Sequence, residues 1–310
     1  MRVYAQRMNA VTFSKYGGPE VLEVSEVNEP HPGQGEVRIR VAAAALNPFD
    51  WKVRSGMLAQ GSQPESPIVD GREAAGVVDE VVDGVTDTQV GDEVFGWAVG
   101  GAAAEYAVLD AWELKPAELS FEEAAALPVA VETSVRVFSV LGGPHEGQTI
   151  LINGAAGGVG AMAVQFAKAR GARVIGTASE RNHDYLRELG AEPTTYDEGL
   201  VERVRELAPD GVDLAFDTAG KGEIPALIEL TGDPARVATI ADFGAAQLGV
   251  KVSGGAEGRF TEALHEAAEM AKQGRLRVTI AATYPFSRAG DAHRQSQEGH
   301  TRGKIVLLPD

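Results

Sequence analysis

TILINGAAGGVGAMAVQFAKARGARVIGTAS, running from Thr149 to Ser179, carries the reading that decides the fold. An apolar run from Thr149 to Asn153 leads into a glycine turn, Gly154 to Gly160. A helix reads from Gly158 to Arg170 and a second apolar run from Arg173 to Thr177. Strand, glycine turn, helix and strand in that order are the context a dinucleotide fingerprint requires. Gly157 lets the backbone approach a pyrophosphate, Gly160 lets helix and strand close on each other, and unpaired N–H groups at a helix start favour an anion. Ala156, Gly157, Gly158, Val159 and Gly160 are therefore the candidate phosphate cradle. Ala155 replaces the first glycine of G-x-G-x-x-G, which adds one methyl group without excluding the motif. The plain alternative is a tight strand-to-helix connection with no ligand.

In NAD sites an acid about 20 residues further on accepts hydrogen bonds from the ribose 2′-OH. Here the second strand ends at Ser179, which does not repel a phosphate, and Arg181 follows two positions later. Ser179 and Arg181 together point to a 2′-phosphate and hence to NADPH. Glu180 is the residue that argues the other way, and a helix-capping Ser179 beside a solvated Arg181 is the structural alternative.

Working outward, strands and helices alternate after about Phe121. An Ala-rich helix spans Phe121 to Val140, a helix Asn182 to Leu189, and later strands Val212 to Phe216 and Arg236 to Ile240. That alternation predicts a doubly wound parallel sheet over residues 126–274. Before it the texture differs. From Asn9 to about Leu114 the chain reads as short β-branched runs broken by Gly and Pro: Val11 to Phe13, Val21 to Val27, Glu36 to Ala44, Gly76 to Val81 and Tyr106 to Leu109. This predicts an antiparallel, barrel-like domain over 1–125, with VTDTQVGDEVFG (Val85 to Gly96) turning two strands back together. Residues 275–310 return to short strands and complete that first domain. Met8 opens a strand-forming stretch, so Met1 to Arg7 reads as a tail or an alternative start.

The composition narrows the chemistry. A chain of 310 residues with 44% hydrophobic content supports two cores, and a formal charge of -17, spread along the chain, disfavours nucleic acid and anionic membranes as partners. With no cysteine there is no disulfide, no thiolate nucleophile and no Cys-containing zinc site. No apolar run approaches the roughly 18 residues that span a bilayer, which leads us to expect a cytoplasmic protein.

Five motifs in order resemble the zinc-free quinone oxidoreductases and alkenal or enone reductases of the medium-chain dehydrogenase/reductase superfamily. They are GGPEVLEV (Gly17 to Val24), NPFDWKVRSG (Asn47 to Gly56), ALPVAVETSVRVF (Ala126 to Phe138), AAGGVG (Ala155 to Gly160) and HTRGKIVL (His300 to Leu307). The resemblance covers the chain from Met8 and implies a GroES-like barrel joined to a Rossmann domain, that is, an α/β protein. It also implies a homodimer, and NADPH-dependent reduction of quinones or α,β-unsaturated carbonyl compounds. GREAAG (Gly71 to Gly76) stands where zinc-dependent relatives carry G-H-E-x-x-G, so Arg72 replaces a zinc-binding His, and a protonated guanidinium does not ligate zinc.

By the same resemblance Lys52 donates to the substrate oxygen as hydride reaches the conjugated carbon, Asn47 holds the nicotinamide ribose and Thr133 faces the cofactor. Tyr196 touches the 2′-phosphate and Lys304 closes on the cofactor. The competing role for Lys52 is a solvated strand lysine. Asp50 reads either as a proton source, alongside Tyr284 or solvent, or as the ion-pair partner of Arg54. The loops Gly56 to Asp70 and Asp242 to Gly258 are expected to shape the substrate pocket, the latter suiting a lid or a dimer edge. Two other functions stay open: a specialised enoyl reductase or tailoring enzyme, and a cofactor-binding member without turnover. NADPH consumption against a panel of quinones and enones separates the three.

Overall fold

Val37–Leu46, VRIRVAAAAL, forms a strand despite its four alanines, because small side chains let two neighbouring strands approach closely. On the adjoining strand a Cβ at Gly76 would lie 2.2 Å from the Arg40 carbonyl oxygen. The computed structural model describes residues 6–59, 62–255 and 258–310. Parts of both expected pocket loops (60–61 and 256–257) and residues 1–5 of the N-terminal stretch lie outside the described residues.

The first part of the chain carries β1 (Arg7–Phe13), β2 (Glu23–Asn28), β3 (Val37–Leu46), α1 (Pro48–Arg54) and β4 (Ile68–Val69). It continues through β5 (Glu73–Val81), β6 (Glu93–Val99), β7 (Tyr106–Leu114) and α2 (Phe121–Ala125). β3, β5, β6 and β7 pair antiparallel in turn, and β3 pairs again with β7, which closes the ring. Val85 to Gly96 does return β5 onto β6 as expected.

The second part carries α3 (Pro128–Leu141), β8 (Thr149–Asn153), α4 (Gly158–Ala169), β9 (Arg173–Thr177), α5 (His183–Glu188) and β10 (Glu192–Thr194). Then follow α6 (Leu200–Leu207), β11 (Leu214–Asp217), α7 (Ile224–Thr231), β12 (Val237–Thr239), β13 (Lys251–Val252) and α8 (Glu262–Lys272). Its six strands are all parallel, in the order β10-β9-β8-β11-β12-β13, so the sheet is doubly wound about β8. Leu151, Ile175, Ala215 and Val237 from four of these strands pack with Val204 of α6 and Leu227 of α7.

The chain then adds β14 (Ile280–Pro285), α9 (Ala289–Glu298) and β15 (Lys304–Leu308) to the first sheet. β15 pairs antiparallel with β3 and parallel with β14, and Phe286, Ala292, Ile305 and Leu307 join the barrel core. By contacts the chain divides into Met1–Val129 with Leu264–Asp310, called unit one here, and Ala130–Ala263, unit two. The sequence reading sets the borders at 125/126 and 274/275.

Three expectations need correction. The single helix Phe121 to Val140 is two helices, because Pro128 has no N–H to carry the first one on and starts the second. The closing segment is not strands alone: α9 sits between them, and its polar sequence AGDAHRQSQE hid it. Phe121–Leu141 is also long and apolar enough, by length and composition, to cross a membrane; most of it is buried within the protein.

Candidate functional site

In unit two the carboxyl end of β8 leads into the glycine turn. Gly154 adopts φ +79°, a left-handed conformation that favours glycine. A Cβ on Gly160 would lie 2.3 Å from the Gly154 carbonyl oxygen, so the first turn of α4 is drawn against the strand end. Gly157 is the N-cap of α4 and has no side chain to cap it, which leaves the leading N–H groups of Gly158, Val159 and Gly160 without a side-chain acceptor. A tight, uncapped helix start of this kind fits a pyrophosphate.

A buried polar web that sequence reasoning missed holds the turn in place. The Asn153 amide donates to Asp217 Oδ1 at 2.9 Å and accepts from the Thr177 hydroxyl at 2.6 Å. Thr177 Oγ1 accepts from the Gly154 N–H at 3.0 Å, and Asp217 Oδ2 accepts from the Thr239 hydroxyl at 2.7 Å. One residue from each of β8, β9, β11 and β12 thereby locks the strand ends together.

The other cofactor candidates of unit two are spread along it. Ser179 is half-buried and its hydroxyl accepts from the Asn182 amide at 3.3 Å, while Arg181 is exposed on the short turn that follows. Thr133 is buried in α3, where its hydroxyl accepts from Arg136 at 3.4 Å. Tyr196 is exposed beyond β10 and borders a shallow pocket with Lys221 and Glu202.

In unit one the strand order explains the second cluster. β3 ends at Leu46, with β5 on one side and β15 on the other, so Asn47 emerges between Glu73 at the start of β5 and Lys304 at the start of β15. Asn47 Nδ2 donates to Glu73 Oε1 at 2.8 Å, and Lys304 Nζ donates to Asn47 Oδ1 at 2.5 Å and to Glu73 Oε1 at 2.6 Å. Glu73 Oε2 accepts from the Val129 N–H at 2.7 Å. All three side chains are buried. Asn47 and Lys304, both cofactor candidates, are thus fastened to each other and to a carboxylate that the sequence reading did not assign.

NPFDWKVR is a helix, not a strand or loop. Asn47 caps it, Pro48 starts it, and Asp50 Oδ2 accepts from the Asn47 N–H at 2.6 Å. Asp50 therefore does not pair with Arg54. Arg54, fully buried, donates to the Gly17 carbonyl at 2.5 Å, to Gln297 Oε1 at 3.0 Å and to His293 Nδ1 at 3.2 Å. His293 Nε2 lies 2.7 Å from Asp70 Oδ2. Because Nδ1 accepts from Arg54, the ring proton sits on Nε2 and points to Asp70.

Burial, and then the nearby Asp70 carboxylate, push the Asp50 carboxyl up to about 7, against the opposing pull of the Asn47 N–H and Lys304. Lys52 is half-buried, and desolvation lowers its pKa, which favours giving up a proton. Its ammonium lies 5.7 Å from the Trp51 ring centre. Tyr284 donates to Gln295 at 2.7 Å. Among the described residues no group of three or more His, Cys, Asp or Glu side chains is placed to hold a metal.

Two family models match the chain: the alcohol dehydrogenase GroES-like domain over residues 33–118, and one described as zinc-binding dehydrogenase over 189–307. A chloroplastic quinone-oxidoreductase homolog of Spinacia oleracea is 32% identical, over 98% of this chain and 99% of its own. A chloroplastic NADPH-dependent alkenal/one oxidoreductase of Arabidopsis thaliana is 33% identical, over 98% and 80%. A mycobacterial protein solved in complex with NADPH superposes with a TM-score of 0.84 at 28% identity, covering 97% of this chain and all of its own.

Proposed function

From a chain that belongs to the medium-chain dehydrogenase/reductase superfamily, in its quinone-oxidoreductase and alkenal-reductase branch, we infer an NADPH-dependent reductase of quinones or α,β-unsaturated carbonyl compounds. The observation that carries this reading is the uncapped start of α4, drawn tight behind Gly154 and Gly160 at the carboxyl end of β8. Ala156, Gly157, Gly158, Val159 and Gly160 would hold the pyrophosphate, and Ser179 with Arg181 the 2′-phosphate.

Bound NADPH would supply a hydride, to the β-carbon of an enone or to a quinone, and a proton would complete the reduced product. Negative charge then gathers on the carbonyl oxygen, and a donor aimed at that oxygen lowers the barrier. Lys52 is that donor in our reading, since its burial-lowered pKa suits both hydrogen bonding and proton release. Asn47, held on both sides of its amide by Glu73 and Lys304, presents a fixed surface rather than a mobile side chain. Asp50, poised near neutrality, is a reservoir for the proton.

The reaction we propose needs no metal, because the chain lacks cysteine and Arg72 replaces the zinc-binding His of the motif. A homodimer completes the proposal, with β13, an edge strand of two residues, as the edge that pairs.

The test is NADPH consumption with a panel of quinones and enones after exhaustive chelation. Broad turnover is expected, and Lys52→Met should lower kcat by about 100-fold. No turnover of any panel member would overturn the reading, and zinc lost together with activity would overturn its metal-free part.

A further inference from the structure

Arg72 is exposed at the end of a loop, just ahead of β5, with its guanidinium 4.1 Å from the Phe49 ring centre and 5.7 Å from that of Trp97. Its backbone is fixed as well, the carbonyl accepting from the Ala98 N–H at 2.8 Å. Stacking holds the plane of the group but satisfies none of its five N–H donors. Among the described residues no carboxylate or carbonyl accepts from it. Elsewhere in this acid-rich chain, arginines find such partners: Arg38 bonds Asp79, and Arg173 bonds Glu192. Arg72 is therefore a guanidinium held in place with its hydrogen-bonding edge open.

Its surroundings say what would fill that edge. The next residue, Glu73, anchors Asn47 and Lys304. Phe49, on which Arg72 stacks, lies three residues before Lys52 on α1, and side chains three apart share a helix face. Lys52, too, has no carboxylate partner among the described residues. Phe49, Met57 and Leu58 present exposed apolar surface close by in sequence. Two cations flanking an apolar side chain suit a short organic molecule with an oxygen function at each end. A protein carrying a charge of -17 draws in an anion only where a local cation offsets the repulsion.

We propose that Arg72 is a specificity-determining residue that holds a substrate carboxylate, so that the preferred substrates are conjugated oxo acids rather than neutral enones. This rests on the reductase reading above. A planar guanidinium matches a carboxylate with two parallel hydrogen bonds, which a point charge does not reproduce.

The experiment compares 4-oxopent-2-enoate with its methyl ester, as NADPH oxidation by the parent protein and by Arg72→Met. The parent should favour the acid in kcat/KM by about 10- to 100-fold, the range one charge-assisted contact provides. Arg72→Met should bring that ratio close to one, and Arg72→Lys should restore part of it. Equal turnover of acid and ester by the parent, or a ratio unchanged in Arg72→Met, would overturn the proposal. So would a KM for NADPH that rises as much as the KM for the acid, since Arg72 would then serve the cofactor. If the parent reduces neither compound nor any quinone, the reductase reading fails by itself. Binding of the saturated acid, 4-oxopentanoate, followed by tryptophan fluorescence with NADP+ present, then decides the role of Arg72. Weakening by about tenfold or more in Arg72→Met supports it, and equal binding overturns it.

Discussion

Replacing Lys304 by Met removes one member of the buried trio at the end of β3 and leaves the others in place. Glu73 would keep two of its donors, Asn47 Nδ2 and the Val129 N–H, but would lose the cation bonded to it. Breaking a buried ion pair from one side typically costs about 3–5 kcal/mol, and the two surviving hydrogen bonds place this case near the lower end. At about 2–4 °C per kcal/mol for a unit of this size, the melting transition should fall by roughly 6–12 °C. Glu73→Gln strands the lysine instead and should cost a similar amount. With both substitutions no buried charge remains, so the double variant should be more stable than either single one. Thermal melts of the four proteins without cofactor provide the comparison and keep ligand binding out of it. Single-variant losses that add up in the double would show that Lys304 and Glu73 do not act as a pair, and the account of how Asn47 is fixed would fail with them.

Three other outcomes are expected. Asp50 ionises less readily folded than unfolded, so the stability of its protonated form is lost as pH rises from about 4 to about 7. Urea titrations of the parent from pH 5 to 7 should therefore show about 2–3 kcal/mol of extra loss that Asp50→Asn lacks, and parallel curves for the two proteins would contradict this. Arg181→Ala should raise the KM for NADPH about tenfold or more and leave NADH almost unaffected; equal weakening of both would mean that Arg181 does not meet the 2′-phosphate. Gly160→Ala puts a methyl group 2.3 Å from the Gly154 carbonyl oxygen and should cost about 1–3 kcal/mol along with most NADPH binding, as calorimetry can test.

The glycine turn was legible because its signal is local: strand, turn and helix stand in one stretch of 31 residues, Thr149 to Ser179. The trio in unit one was not, since Glu73 and Lys304 are 231 positions apart and meet only because β15 is laid beside β3. The helix α1 lies between these cases. Asn47-Pro48 reads as a turn, yet Asn at the N-cap, Pro at the first position and Asp at the third spell a capping box that the sequence does contain. The web of Asn153, Thr177, Asp217 and Thr239 left a fainter mark, a polar residue at or near the end of each apolar strand.

Unit one is begun first and finished last. Its sheet contains β15 between β14 and β3, so during synthesis the Ala44–Leu46 end of β3, beyond the stretch that β7 pairs, keeps an open edge until nearly the whole chain has left the ribosome. Unit two is continuous and does not wait in this way. Over that interval the buried face of β3 and the Glu73 carboxylate have neither their neighbouring strand nor their lysine, which makes the nascent barrel the part of the molecule most open to edge-to-edge association. A chain cut short before Lys304 would carry a complete parallel sheet and a barrel with the Ala44–Leu46 end of β3 left open.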